Sequence, residues 1–265
     1  MVTRELLGRA SHPLLRRLKD FNTSDLFRLP ARPARRVPTR PISVVIPAHN
    51  EEAYIAQTLE SLRRQNYGWM EVVVVANGCT DNTAEAAQRL CDRLIVLSQK
   101  SLGVSRNLGA RMARGEILVF LDADTTLEPM ALRRIAEVFG TDCAAGTLRG
   151  QPDRPESKYQ LVYFLKNLAH RTSLHTGSSG VIICWKEHFM RSGGFDERLE
   201  VRENSELIRR LLRFGKYQYV GDVSATTSMR RYQQRGVLRL GWLWLRLWMQ
   251  SWFGDLHRRH YEIVR

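Results

Sequence analysis

Ile117-Leu118-Val119-Phe120-Leu121-Asp122-Ala123-Asp124 is an apolar run that ends in two carboxylates flanking one small residue. The first five residues read as a strand. An acidic pair at the carboxyl end of a strand suits a hard divalent cation with oxygen ligands. Mg2+ or Mn2+ held there can bridge and neutralise a diphosphate. The same pattern also occurs as a solvated turn, and Thr125-Thr126 behind it could cap a helix starting at Glu128.

Outward from this stretch the chain alternates. Ile42–Ile46, Val72–Val75 and Leu94–Leu97 read as strands. Glu51–Arg64, Asp81–Leu90, Val104–Ala113 and Glu128–Phe139 read as helices. Strands alternating with helices of this length imply βαβ units, so the expected fold is α/β around a largely parallel sheet. In such sheets ligands sit beyond the carboxyl ends of the strands, which points to the loops after Ile46, Val75 and Leu121. The second half is less regular: Tyr159–His170 and Glu203–Phe214 read as helices, Val181–Cys184 and Tyr217–Val220 as strands.

With 265 residues the chain has room for one large α/β domain or two small ones. Hydrophobic residues at 43% and charged residues at 26% exclude a wholly disordered chain. The formal charge of +14 favours a polyanionic partner: nucleic acid, an anionic membrane or a phosphorylated substrate. Cys79, Cys91, Cys143 and Cys184 form no C-x-x-C pair, which excludes a zinc ribbon and a thioredoxin-type site and fits a cytosolic, reduced setting. No secretory signal and no spanning apolar run is visible.

The ends differ from the middle. Residues 1–40 are a basic arm and linker, broken by Pro30, Pro33 and Pro38, that is either a solvated tail or a membrane-touching segment. Residues 236–265 hold Trp242, Trp244, Trp248 and Trp252, with Arg239, Arg246 and Gln250 on one helix face. That pattern reads as an amphipathic helix in a membrane interface, or as a core or dimer helix.

Three further segments accompany the acidic couplet. Pro47-Ala48-His49-Asn50-Glu51-Glu52 follows the first strand, and Asn50 and Glu51 offer hydrogen-bonding groups to a base or ribose, or simply open a helix. Ala76-Asn77-Gly78-Cys79-Thr80-Asp81 follows the second, either as a close approach to a ligand or as a plain turn. Gly103-Val104-Ser105-Arg106-Asn107-Leu108-Gly109 opens a helix where Arg106 can meet phosphate or lie on the surface. Taken in order, the four segments resemble the GT-A fold of family 2 glycosyltransferases, clearly over residues 42–140 and more weakly to about 235.

The resemblance implies inverting transfer of a sugar from a nucleotide diphosphate-sugar, with Mg2+ or Mn2+ as cofactor. It places Pro47, Asn50, Glu51 and Asn77 around the nucleotide, Asp81 at the base, Arg106 at the phosphates, Asp122 at the ribose and Asp124 on the metal. Asn77 departs from the family's usual Asp. The implied organisation is a GT-A domain over 41–235, with a nucleotide-binding half (41–140) and an acceptor half (141–235). Gly193-Gly194-Phe195-Asp196 matches the family, but Glu203-Asn204-Ser205-Glu206-Leu207 carries Asn204 where the family's base is Asp. Asn cannot accept the acceptor's proton. Glu203 is then the first candidate base and Glu206 the second, although Glu206 can equally pair with Arg210 at i+4.

Gly177–Gly180 falls where the family forms part of its acceptor loop, and Arg230 and Arg231 suit a phosphate or diphosphate. His170, His175 and His257 are further metal-ligand candidates that spacing does not separate. The expected activity is transfer to an acceptor hydroxyl or phosphate, lipid-linked in one version, by a peripheral protein at the cytoplasmic membrane face without specific nucleic-acid binding. A nucleotidyltransferase would want a Gly-rich basic loop after the first strand, which Pro47–Glu52 lacks. The alternative from another class is a non-catalytic GT-A-like binder of nucleic acid or anionic membrane.

Overall fold

The structure, a computed structural model, describes residues 40–172, 177–178, 180–199 and 202–236. The basic arm, the Trp-rich C-terminal stretch, His175 and His257 lie outside the described residues.

β1 (Ile42–Ala48), β2 (Met70–Asn77), β3 (Arg93–Leu97) and β4 (Ile117–Leu121) carry the β-branched and apolar runs. β1, β2 and β4 are almost wholly buried, as expected for strands covered on both faces. β5 (Thr125–Leu127), β6 (Cys143–Pro152), β7 (Val181–Trp185) and β8 (Lys216–Thr227) complete one eight-stranded sheet of order β3-β2-β1-β4-β7-β6-β8-β5. The strands β3-β2-β1-β4 run parallel. Beyond β4 the sheet is mixed: β7 is antiparallel to β4 and β6, β8 is parallel to β6, and β5 is antiparallel to β8.

This topology assembles the site. The parallel strands β1, β2 and β4 end on one edge of the sheet, so the loops after Ala48, Asn77 and Leu121 meet there. Because β7 runs antiparallel to β4, Val181 pairs with Leu121 and the segment ending at Gly180 arrives at the same edge. β5 turns straight back from the acidic couplet and pairs Thr125 with Thr227, which brings in the residues that follow β8.

The helices are α1 (Glu52–Arg63), α2 (Thr83–Gln88), α3 (Leu102–Met112), α4 (Ala131–Val138), α5 (Ser157–Arg171), α6 (Lys186–Arg191), α7 (Glu203–Leu211) and α8 (Arg230–Arg235). α3 packs on β1 and β2 through Gly109, where any Cβ would run into Val45 Cγ1, so only glycine lets helix and sheet approach this closely. On the other side Phe120, Phe189 and Phe195 stack around the start of the second half. Phe120 meets Phe195 edge-on at 5.1 Å, and Leu207, Ile208 and Leu211 of α7 join the same core. Burying that face of α7 fixes its N-terminus, and Glu203 with it, beside β4.

Thr125-Thr126 is strand and not a helix cap. The helix expected from Glu128 begins at Ala131, because Glu128 is drawn to β8 by hydrogen bonds from Ser224 N and Oγ.

Candidate active site

The acidic couplet is held rigidly by its own backbone. Asp122 N donates to Gly180 O at 3.0 Å, Thr58 Oγ1 donates to Ala123 O at 2.8 Å, and Ser228 N donates to Asp124 O at 3.1 Å. The strand, α1, the loop before β7 and the segment after β8 therefore all grip three residues.

Two arginines, the buried Arg106 and the half-buried Arg230, face this couplet. Arg230, at the first residue of α8, pairs with Glu51 Oε1 at 2.5 Å and Asp124 Oδ2 at 3.0 Å, and lies over the Tyr54 ring at 4.5 Å. Arg106, only 3% exposed, donates from Nη2 to Asp122 Oδ1 at 3.1 Å and from Nη1 to Glu203 Oε1 at 3.1 Å and Asn204 Oδ1 at 2.7 Å. Its guanidinium rests on the Phe195 ring at 5.0 Å. One cation thus links the end of β4 to the start of α7, itself lying 97 residues before Glu203 in the chain.

The neighbouring Asn107 makes the same junction in backbone terms. Its Oδ1 accepts from Phe195 N at 2.8 Å, and its Nδ2 donates to Phe195 O and Glu197 Oε1, each at 2.9 Å. The Arg-Asn pair on α3 is therefore a clasp that ties α3 and the end of β4 to Phe195, Glu197 and the start of α7.

Burial, reinforced by the Asp122 charge, pushes the Asp124 carboxyl up to about 6 despite the opposing pull of Arg230. Burial likewise raises Glu51 against the hydrogen bond from Arg230. Burial works against the charge of Arg230, but the Glu51 hydrogen bond and the Asp124 charge outweigh it and raise its pKa. Glu51 Oε2 is buried and has no hydrogen-bond partner among the described residues. The site therefore carries a surplus of buried carboxylate that Arg230 neutralises only in part.

The other expected nucleotide residues line the same edge. Pro47 sits in β1 opposite Val75. Asn50 adopts a left-handed conformation (φ 54°), its Oδ1 accepting from Thr80 N at 2.9 Å. Asp81 joins two helix starts, accepting from Glu52 N at 3.2 Å and Thr83 N at 3.1 Å. Burial raises its carboxyl, but these bonds and the one from the Thr83 hydroxyl win, so its pKa falls. Both polar ends of Asn77 are committed to backbone: Nδ2 donates to Ala48 O at 3.0 Å, and Oδ1 accepts from Ser101 N at 3.2 Å. Gly78 (φ 59°) turns beside Lys100 N, 2.9 Å from where a Cβ would stand.

The two candidate bases differ in surroundings. Glu203 faces Arg106 and the couplet. Glu206 points the other way, clamped by Arg210 Nε at 2.7 Å and Nη2 at 2.6 Å, while Arg210 also donates to Ser192 O and Gly194 O. Asn204 holds Ser178 of the Gly177–Gly180 segment through Nδ2 to Oγ at 3.0 Å. Arg231 is exposed beside Arg230. His170 is buried away from the couplet, its Nδ1 3.3 Å from the Tyr217 hydroxyl and its ring stacked near Tyr217 and Tyr219. Ser178 belongs to the Gly177–Gly180 segment expected at the acceptor loop, whereas Tyr54, three residues beyond Glu51, is a site residue outside every site segment singled out from the sequence. The i+3 spacing of Tyr54 from Glu51 was the available signal.

Among the described residues no three His, Cys, Asp or Glu side chains form a metal cage by themselves. The donor set nonetheless fits Mg2+ or Mn2+, which commonly take one or two carboxylates and complete their shell with water and substrate phosphates. Asp124 and Asp122 supply such carboxylates, and the unpartnered Glu51 Oε2 adds to a locally negative field.

A model of glycosyl transferase family 2 matches residues 43–198. The chain belongs to glycosyl transferase family 2. Its domain has the α/β GT-A fold. It superposes with a TM-score of 0.59 and 21% identity on a mannosyltransferase from Pyrobaculum calidifontis solved with GDP-Man and Mn2+, covering 71% of this chain and 56% of that one. This family 2 domain is 28% identical over 211 residues to the PGL/p-HBAD biosynthesis glycosyltransferase of Mycobacterium bovis, covering 73% of this chain and 82% of that protein. It is 33% identical over 113 residues to an uncharacterized glycosyltransferase of Nostoc sp., covering 40% of this chain and 35% of that protein. The chain thus spans about a third of the length of the Nostoc relative.

Proposed function

We propose that the chain is an inverting glycosyltransferase that moves a sugar from a nucleotide diphosphate-sugar to an acceptor hydroxyl or phosphate. The observation that carries this reading is the Asp122–Asp124 couplet, pinned at the carboxyl end of β4 between Arg106 and Arg230.

In this mechanism the loops after β1 and β2, with Pro47, Asn50 and Asp81, hold the nucleoside. Asn77 shapes that pocket from beneath, since its own polar groups are used by the backbone. Asp122 orients the ribose and Asp124, with the donor's diphosphate, would hold Mn2+ or Mg2+, which when bound neutralises charge on the departing diphosphate. Arg230 exchanges its carboxylate partners for the diphosphate, assisted by the exposed Arg231. Arg106 is too enclosed to serve mainly as a phosphate ligand. It fixes Asp122 and Glu203 relative to each other. Glu203 takes the proton of an acceptor hydroxyl as that oxygen attacks the anomeric carbon, and the C–O bond to the diphosphate breaks. Glu206 serves the fold through Arg210.

The acceptor side is proposed to work peripherally at the cytoplasmic membrane face on a lipid-linked acceptor. The basic arm (1–40), the Trp-rich stretch (236–265) and the +14 charge support this. Among the described residues no helix is long and apolar enough to cross a membrane. The test is a panel of UDP- and GDP-sugars with Mn2+, read by mass spectrometry for bound donor and released nucleoside diphosphate, with product anomers assigned by NMR. One donor class turned over with inversion is expected. Binding of nucleic acid with no nucleotide-sugar bound would overturn the reading in favour of a non-catalytic GT-A-like protein.

A further inference from the structure

The outward face of α5 is built unlike the surface of an ordinary soluble helix. Leu161, Phe164, Leu165 and Leu168, spaced i, i+3, i+4 and i+7, are 57%, 61%, 54% and 46% exposed. The opposite face is the one that packs: Tyr159 and Tyr163 join Met229 and Tyr232 in a buried cluster, and His170 is buried near the end. Single exposed apolar residues are ordinary, but four large ones in one contiguous helical stripe mark an interaction surface.

The charges around the stripe narrow the partner. Residues 157–171 contain no Asp or Glu, and Arg154, Lys158 and Arg171 are exposed around the two ends of the stripe, with Asp153 and Glu156 exposed beside Arg154 and Lys158. Phe164 and Leu168 also form the wall of an open groove of about 750 Å3, whose other lining residues include Arg149, Arg171, Tyr219 and Asp222, the last paired with Arg134. Arg149 Nε is buried there with no hydrogen-bond partner among the described residues. An apolar stripe on a helix free of carboxylates, whose rim carries more cations than acidic groups, suits acyl chains beneath anionic headgroups. It suits a second copy poorly, because two chains of +14 would bring like charges together around the same patch.

We propose that this face of α5 is a docking surface for an anionic phospholipid bilayer. The inference rests on the membrane-surface reading above and assigns the contact to an element of the folded domain. The helix is well placed for it. Tyr163, on its buried side, hydrogen-bonds Thr227, which in turn meets Thr125 Oγ1 at 3.0 Å, next to Asp124. The buried side of α5 is thus tied by these two contacts to the strand that starts directly after the acidic couplet. A lipid-borne acceptor would then reach the site without leaving the membrane plane.

The test is flotation of the full chain with vesicles of phosphatidylcholine alone and of phosphatidylcholine mixed with phosphatidylglycerol. It compares the wild type with Phe164→Glu/Leu165→Glu, with calorimetric nucleotide-sugar binding measured on both. The wild type floats with the anionic vesicles, and the double variant loses about tenfold or more in vesicle partitioning with donor binding unchanged. A double variant that floats like the wild type overturns the α5 inference and leaves membrane contact to the terminal segments. A wild type that stays at the bottom overturns both. A wild-type dimer that the charges split, with flotation unaltered, assigns the stripe to a second copy and also overturns it. Flotation without nucleotide-sugar binding defeats the transferase reading but supports the docking surface. Should the double variant lose donor binding, Phe164→Ser alone is judged by the same criteria.

Discussion

Asp124→Asn is expected to stabilise the metal-free protein, and the effect should appear only on the alkaline side. In the folded chain burial and the Asp122 charge lift this carboxyl from 3.8 to about 6. A group whose folded value is raised favours the fold fully below its unfolded value and loses that contribution as pH climbs through the folded value. The penalty is therefore absent only below about pH 3, still under about 1 kcal/mol near pH 4, grows steeply to about pH 6, and is complete by pH 8. A gap of about two pH units corresponds to about 3 kcal/mol at about 1.36 kcal/mol per unit. Asn keeps an acceptor for Arg230 but surrenders the charge, so the net gain at pH 8 is about 2 kcal/mol. Urea denaturation with chelator at pH 8 and pH 4 reads it directly. The midpoint of the variant should rise above wild type at pH 8 and lie close to it near pH 4. Equal effects at the two pH values, or a loss of stability at pH 8, would refute the reasoning that Asp124 is a carboxylate kept at a cost for a cation.

Arg106→Met strands the Asp122 and Glu203 charges and should cost about 3 kcal/mol in denaturant unfolding, together with most donor affinity. Glu203→Gln should lower kcat by at least about a hundredfold while nucleotide-sugar affinity stays near wild type, as measured by calorimetry and steady-state kinetics. Glu206→Gln should do the reverse, reducing stability by about 1 kcal/mol with kcat retained, because its partner is Arg210. Gly109→Ala should destabilise by about 1–3 kcal/mol in a thermal or urea melt, since the added methyl group meets Val45.

What could be read beforehand follows the range of the interactions. β1, β2, β3 and β4 are legible because each is a local apolar run bounded by turn residues, and the couplet is legible because it sits directly on the end of one of them. The i+4 pair of Glu206 with Arg210 is equally local. β5 has only three residues and exists by pairing with β8, so Thr125-Thr126 looked like a helix cap. β6 contains Gly146, Arg149, Gly150 and Pro152 and shows no clean alternation. Its partners supply the order that its own residues lack. The clamp of Arg230 on Glu51 spans 179 residues and that of Arg106 on Glu203 spans 97, separations at which no spacing rule speaks. Asn77 shows the opposite limit. Its position in the turn after β2 was visible, but the capture of both its polar ends by backbone was not.

The most direct measurement is calorimetric titration of UDP- and GDP-sugars into the full chain, with and without Mn2+, beside Asp124→Ala. The account predicts one nucleotide-sugar class binding in a Mn2+-dependent manner, with that dependence abolished in the variant. Binding that ignores both the cation and the substitution, or no binding by any donor, would contradict it.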